Sequence, residues 1–293
     1  MRDYILAFML KCGFESDCID FTVKVYDEIM AKKSQEFTQI LEPYLKNKDA
    51  DLVKIYENVS AMANSIGVHE YSAYLVLYVC LSKRLKEYYV LNNLPLDVYE
   101  NTIQDIKYKA NECKAVYGAW GIAVPYWMVG FFDLTRFGLG RLQFEVKKFK
   151  RVYAKNGVAL KEDDNVINVH IPRAETRLDR ASVDCAYQKA KEFFKSDFIN
   201  KLTVFVCHSW LLYPKNKEVL KPTSNIYSFI SDYDIIESKE YPDYSEVWRL
   251  FDTNYNGNVN DLPQDTSLRV AYADWIRKGI PTGEGYGVYV YDK

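Results

Sequence analysis

The sequence contains no C-x-x-C pair and only three histidines. A structural zinc cluster needs four such ligands at close spacing, so the sequence argues against one. Its six cysteines, at 12, 18, 80, 113, 185 and 207, are scattered without a pairing pattern. That usage fits the reducing cytoplasm. Neither sign of charge is in excess: 38 Lys and Arg stand against 40 Asp and Glu, a net charge of -2. A nucleic-acid partner therefore has no global electrostatic support, and the local run "KKFKR" at 147–151 reads as a solvated face. Long hydrophobic runs are missing too. The longest, around 73–81, falls short of the roughly 20 residues that span a bilayer. The start, "MRDYILAFMLKCGF", has Asp3 inside its charged region and no small-residue cleavage site, so no secretory signal is read there. No internal repeat and no low-complexity linker appear. What remains is a chain of 293 residues, 48% hydrophobic, enough for a substantial core in one large domain or two ordinary ones.

A calcium loop is suggested and then denied. "SEVWRLFDTNYNGNVNDLP", residues 245–263, places Asp252, Asn254, Asn256 and Gly257 at the first, third, fifth and sixth positions of an EF-hand loop. The twelfth position, where calcium needs a bidentate Glu, is Pro263. An Asn- and Gly-rich surface turn is the simpler reading, because both residues tolerate positive φ.

Residues 1 to about 117 read as helical. "DCIDFTVKVYDEIMAKK" sets Ile19, Val23, Tyr26 and Met30 on one face, and "DADLVKIYENVSAMANSIG" ends at Gly67, a C-cap signal. "EYSAYLVLYVCLSKRLKEYYVLN" is apolar through its middle, as a central buried helix would be. A further helix runs from Pro95 to Gly118. The pattern then changes, with a boundary between about 118 and 135. "GRLQFEVKKF" alternates: Leu142, Phe144 and Val146 face one way, Arg141, Gln143 and Glu145 the other, predicting a half-buried strand. Asn156-Gly157 predicts a tight hairpin, and "NVINVHIP" a strand stopped by Pro172. "SVDCAYQKAKEFFKSDF" reads as a helix, "LTVFVCHSWLL" as a strand, "SNIYSFI" as a short helix and "DYDIIES" as a strand. "DTSLRVAYADWIRKG" follows as a helix with Leu268, Ala271, Tyr272, Trp275 and Ile276 on one stripe, and "GYGVYVYD" as a closing strand. The two parts are expected to pack together.

Four stretches offer chemistry. "HIPRAETRLDRASVD", 170–184, joins a strand to a helix and carries Arg173, Arg177 and Arg180. Guanidinium forks suit phosphate oxygens, and a helix start adds unpaired N–H groups, although Asp179 could cap that helix and repel an anion. "VCHSWLLYP", 206–214, gathers Cys207, His208 and Ser209. Neighbours on a strand point to opposite faces, so Cys207 and His208 do not form a nucleophile pair with each other, while His170 could approach His208 or Ser209. "KPTSNIYSF" puts Thr223, Ser224 and Asn225 before a helical run, where they cap it or bind an anion. Glu145 could serve as a general base if its strand lines a cleft. Packing, capping or plain exposure is the bland alternative for each.

Taken together and in order, "RFGLGRLQFE", "INVHIP", "FVCHSWLL", "SNIYSF" and "LPQDTSLRVAYADWI" resemble a family of bacterial acyltransferase domain-containing proteins. The resemblance implies an α+β chain: an all-helical N-acyltransferase N-terminal domain at 1–125, packed on a mixed-sheet GNAT-like domain at 126–293. It also implies transfer of an acyl group from acyl-CoA, as cosubstrate and not as a permanently bound cofactor, to a small-molecule amine. One departure is plain. The pyrophosphate loop of such folds lies between a strand and a helix, whereas Gly138-x-Gly140 and "PTGEGYGV" at 281–288 both lead into strands. A catalytically silent relative that binds a metabolite or a protein therefore stands as the other class. If the enzyme reading holds, the arginine loop or residues 223–225 would hold the CoA phosphates. Backbone groups of "VCHSW" would meet the oxyanion, and Glu145 or His170 would act as the base.

Overall fold

The computed structural model describes residues 1–155, 157–198 and 202–291. The chain divides into two units, Met1–Gly138 and Leu139–Lys293.

The first unit is helical: α1 Arg2–Lys11, α2 Ser16–Lys46, α3 Leu52–Ser65, α4 Glu70–Leu91, α5 Leu96–Tyr117 and α6 Pro125–Phe132. Helix α4 is the axis. Every residue from Ser72 to Ser82 is buried, so that stretch has no polar face, and α1, α2, α3, α5 and α6 all touch the helix. The single helix read at 17–33 continues as α2 to Lys46 but breaks locally at Lys33, where φ is -142° and ψ 29°. Asp51 caps α3 through the Lys54 N–H at 3.0 Å, and Gly67 and Gly118 take the left-handed conformation just past α3 and α5. One of the three histidines is used here: the His69 ring accepts from the Tyr71 N–H at 3.1 Å and caps α4.

Strand β1 Arg136–Leu139 spans the division between the units. The second unit continues with β2 Leu142–Lys148, β3 Tyr153–Lys155, β4 Val158–Leu160, β5 Asn165–His170, α7 Arg180–Phe193 and β6 Thr203–Ser209. It ends with α8 Asn216–Val219, α9 Asn225–Ser231, β7 Asp234–Tyr241, α10 Trp248–Phe251, α11 Ser267–Arg277 and β8 Thr282–Tyr291. The strands of this unit pair in the order β2-β5-β6-β8-β7, with β3 and β4 a separate two-stranded ribbon. β5 and β6 run parallel because α7 carries the chain back between them, while β2–β5, β6–β8 and β7–β8 are antiparallel. The ribbon joins Tyr153–Lys155 to Val158–Leu160 as the hairpin signal predicts; Gly157 has φ 75°, and Asn156 lies outside the described residues.

The two faces of this sheet differ. On one, Phe144, Phe205, Tyr289 and Tyr291 surround Tyr187 of α7. On the other, Val166, Val204, Val206 and Val288 pack with Tyr286, under Phe149 and the β3–β4 ribbon. The stretch "PTGEGYGV", read above as leading into a strand, is itself strand from Thr282 on. Gly283, Gly285 and Gly287 line one face of β8 at period two. A Cβ at Gly285 would stand 2.2 Å from the Leu212 carbonyl oxygen, and one at Gly283 would stand 2.6 Å from the Tyr213 ring. Only glycine lets backbone lie directly on the sheet here. The strand expected through "WLL" stops earlier: after Ser209 the chain turns into a 3₁₀ segment at Trp210–Leu212.

Candidate active site

Alternation in β2 predicts a solvated polar face, and the structure corrects this. Gln143 and Glu145 are buried like Phe144 between them, at 2% and 5% exposure. A buried carboxylate requires partners. Antiparallel pairing puts Glu145 opposite Asn168 and Gln143 opposite His170. His170 Nε2 lies 2.5 Å from Glu145 Oε1, the Asn168 amide donates to the same oxygen at 2.9 Å, and Lys147 Nζ is 2.8 Å away. The Asn168 amide also stands 3.1 Å from His170 Nε2, so amide, imidazole and carboxylate form one cluster. The His170 side chain retains 16% of its exposure and ends its strand. The expected general-base candidates, Glu145 and His170, are thus a single unit.

His208 stands on the same face. It faces Tyr286 across β8, and its Nε2 is 3.0 Å from Glu284 Oε1. The Tyr241 hydroxyl donates to that oxygen at 2.5 Å, and its own ionisation is pushed far up by burial and by the Glu284 charge. Arg151 lies 3.7 Å over the Tyr286 ring and binds Glu237 at 2.6 Å, which holds the Glu237 carboxyl below the usual range. Burial differs between the two histidines: the His208 side chain is 52% exposed.

The other expected residues do not join this group. Cys207 points to the opposite face and is fully buried, which drives its thiol far above the reactive range. A buried, protonated thiol is no nucleophile, so the cysteine leaves the catalytic set. Ser209 spends its hydroxyl accepting the Leu211 N–H at 3.2 Å, capping the 3₁₀ segment. In the arginine loop, Arg173 is paired with Asp252, and Arg180 with Asp232 and Asp184. Asp179 caps α7 through the Ser182 N–H at 2.8 Å, which lowers its own carboxyl and sets a negative charge on the helix start. Among the described residues, Arg177 alone of the three has no carboxylate partner, and it is exposed. Ser224 caps α9, with Thr223 before it and Asn225 as the first helical residue. In the calcium-like loop, Arg269 binds Asp252 at 2.6 Å and Arg173 binds the same carboxylate, while Asn256 and Asn258 are tied to Asp261. Asp252 itself has φ 60°, a turn conformation.

Asn168, Lys147, Glu284 and Tyr241 escaped the sequence reading. One signal was available. Glu284 interrupts a run of strand glycines, and Asn168 interrupts a run of β-branched residues. Polar residues at inward strand positions are candidates for a lined site. Among the described residues no group of His, Cys, Asp and Glu could hold a metal, and no helix is long and apolar enough to cross a membrane.

Two family models match the chain. The N-acyltransferase N-terminal domain covers residues 5–134, and the GNAT-like C-terminal domain covers residues 136–289. No curated protein matches. Among solved structures, an acyltransferase mutant in complex with octanoyl-CoA is similar over 98% of this chain and 88% of its own, at 18% identity and a TM-score of 0.71. An acyltransferase in complex with decanoyl-CoA and teicoplanin is similar over 97% of this chain and 86% of its own, at 19% identity and a TM-score of 0.67. At that identity the likeness is one of fold.

Proposed function

This chain belongs to the family of the GNAT-like C-terminal domain, preceded by an N-acyltransferase N-terminal domain, and on that premise we propose that it is an acyl-CoA-dependent N-acyltransferase. The acyl-CoA complexes of the similar structures support a CoA thioester as donor, and a small-molecule amine is the acceptor this reading names. The observation that carries it is the 2.5 Å contact between His170 Nε2 and Glu145 Oε1 at the end of the parallel strand pair. Acyl transfer to an amine needs a base at the attacking nitrogen. His170 takes that proton, and Glu145 stabilises the imidazolium that forms. The nitrogen adds to the thioester carbonyl, the C–S bond breaks, and the sulfur leaves as thiolate to be protonated. A positioned base of this kind contributes about 10²–10⁴-fold. For the CoA phosphates, Arg177 is the arginine left available, since Arg173 and Arg180 are neutralised by carboxylates.

The test is steady-state release of free CoA from octanoyl-CoA with a panel of small amines. His170→Ala should lower kcat by about 10²–10⁴-fold while calorimetric affinity for octanoyl-CoA stays within a few-fold. Glu145→Gln should act in the same direction and by less, since it keeps the ring and loses the charge. A wild-type chain with no calorimetric response to any acyl-CoA would replace this reading with the silent one.

A further inference from the structure

The second histidine pair has no part in the mechanism above, yet it is built to the same plan. In the parallel register Ile167, Asn168 and Val169 stand beside Phe205, Val206 and Cys207. One step further sets His170 beside His208, on strands about 4.8 Å apart. Each histidine turns outward from this seam to a carboxylate on the next strand: His170 to Glu145 of β2, and His208 to Glu284 of β8. The result is a row of carboxylate, imidazole, imidazole, carboxylate across four strands. The Glu145–His170 half of the row is buried, and the His208–Glu284 half is more open.

Stoichiometry gives two bases distinct tasks. A basic amine reaches the protein as R–NH₃⁺, and the reaction R–NH₃⁺ + acyl–S–CoA → amide + CoA–SH + H⁺ removes two protons from nitrogen. One proton ends on sulfur and the other must reach solvent. A single buried imidazole cannot accept both at once. We infer that His208, held by Glu284 and Tyr241, takes the first proton from the incoming ammonium and passes it to solvent, so that the acceptor is a basic amine bound in its charged form. The inference rests on the acyl-transfer reading of His170. The surroundings suit a cation. Within this unit His208 is faced by the Glu284 and Glu237 carboxylates and the Tyr286 ring, with Tyr241 donating to Glu284. The positive groups there are committed or set aside: Arg151 to Glu237 and Tyr286, and Lys239 over Tyr241 at 4.9 Å. Among the described residues Glu284 Oε2 has no partner, which leaves one carboxylate oxygen for an ammonium.

The experiment compares His208→Gln with wild type on acceptors of graded basicity, from a primary alkylamine to hydroxylamine, with octanoyl-CoA as donor at neutral pH. The loss in kcat/KM should be at least about tenfold greater on the alkylamine than on hydroxylamine, which is already unprotonated. That excess should shrink as pH approaches the alkylamine's own pKa. Glu284→Gln should show the same dependence on basicity. His170→Ala should lose activity equally across the series. An equal loss for His208→Gln on every acceptor, or no loss, overturns the inference and leaves the acyl-transfer reading standing. A wild-type chain that releases no CoA with any amine, at any basicity, overturns both. Unchanged circular dichroism and octanoyl-CoA affinity of the variants separate a chemical defect from a folding one.

Discussion

On the face of the sheet that meets α7, tyrosine hydroxyls pair with each other; on the opposite face carboxylates pair with imidazoles. Tyr187 and Tyr233 are buried and share one hydrogen bond at 2.8 Å, and burial drives both phenols well above their ordinary range. Both stay neutral, each satisfies the other, and nothing reaches solvent. On the other face Glu145 is equally deep, but its partners end in an imidazole with residual exposure. Both faces obey the rule that a buried polar group must be paired. The difference is what the pair can still do. Two phenols closed on each other stabilise and do nothing more, whereas a carboxylate behind an imidazole would stabilise the charge that the ring gains on taking a proton.

Changes on the tyrosine face should therefore cost stability and changes on the histidine face activity. The largest structural effect is expected at Gly285, whose added Cβ would stand 2.2 Å from the Leu212 carbonyl oxygen. Gly285→Ala should cost about 3 kcal/mol in denaturant unfolding, the upper end of the usual overpacking range, because the atom it meets is backbone and cannot step aside. Tolerance of that change would show that the 3₁₀ segment does not lie on β8. Next comes Tyr187→Phe, which leaves the Tyr233 hydroxyl buried and unpaired. It should cost about 1–3 kcal/mol, and the double change to Phe at both positions should cost less than the single one. A double variant worse than the single would break the account of this face.

Smaller again is the alkaline limb. The folded pKa of Tyr187 and of Tyr233 is raised, so the stability they carry is complete below the unfolded value of about 10 and is lost as pH rises above it. Melting temperature should fall above about pH 10, and less steeply in the double Phe variant. The smallest effect is on the acid side of the histidine face. The folded pKa of Glu237 is lowered by Arg151, so its contribution is present above the unfolded value of about 4.3 and is lost as pH falls through the folded one. Its carboxylate is exposed, so Glu237→Gln should cost under about 1 kcal/mol at neutral pH and nothing once the carboxyl is protonated. A larger cost at neutral pH would mean that Arg151 needs this charge to keep its place over Tyr286.

Much of the fold is legible residue by residue. The unbroken burial of α4 follows from "SAYLVLYVCLS", and left-handed Gly67 and Gly118 sit where the helix-stop signals place them. Strand β2 follows from alternation, β5 from a β-branched run stopped by Pro172, and the end of β8 from "GYGVYVYD". Elements of four residues, such as α8 and α10, are too short to show a period. The polar face of β2 misleads because alternation reports two faces without saying that both are covered. For the site, the sequence singles out Glu145, His170 and His208, yet Cys207 and Ser209 carry the same kinds of chemistry one residue away. Only the direction in which β6 points each side chain separates them.

The sequence by itself determined the local elements, because period, caps and glycines act within a few residues and need no partner. It also determined that Pro263 stands where a calcium loop needs a carboxylate. The convergence was decided by tertiary structure alone. His170 and Glu145 are 25 residues apart, and His208 and Glu284 are 76 apart. They meet because strand pairing fixes a register to the residue, and a shift of one would turn each histidine to the tyrosine face. Pairing across such separations depends on which strand lies beside which, and that order is set by burying the apolar residues between the polar ones.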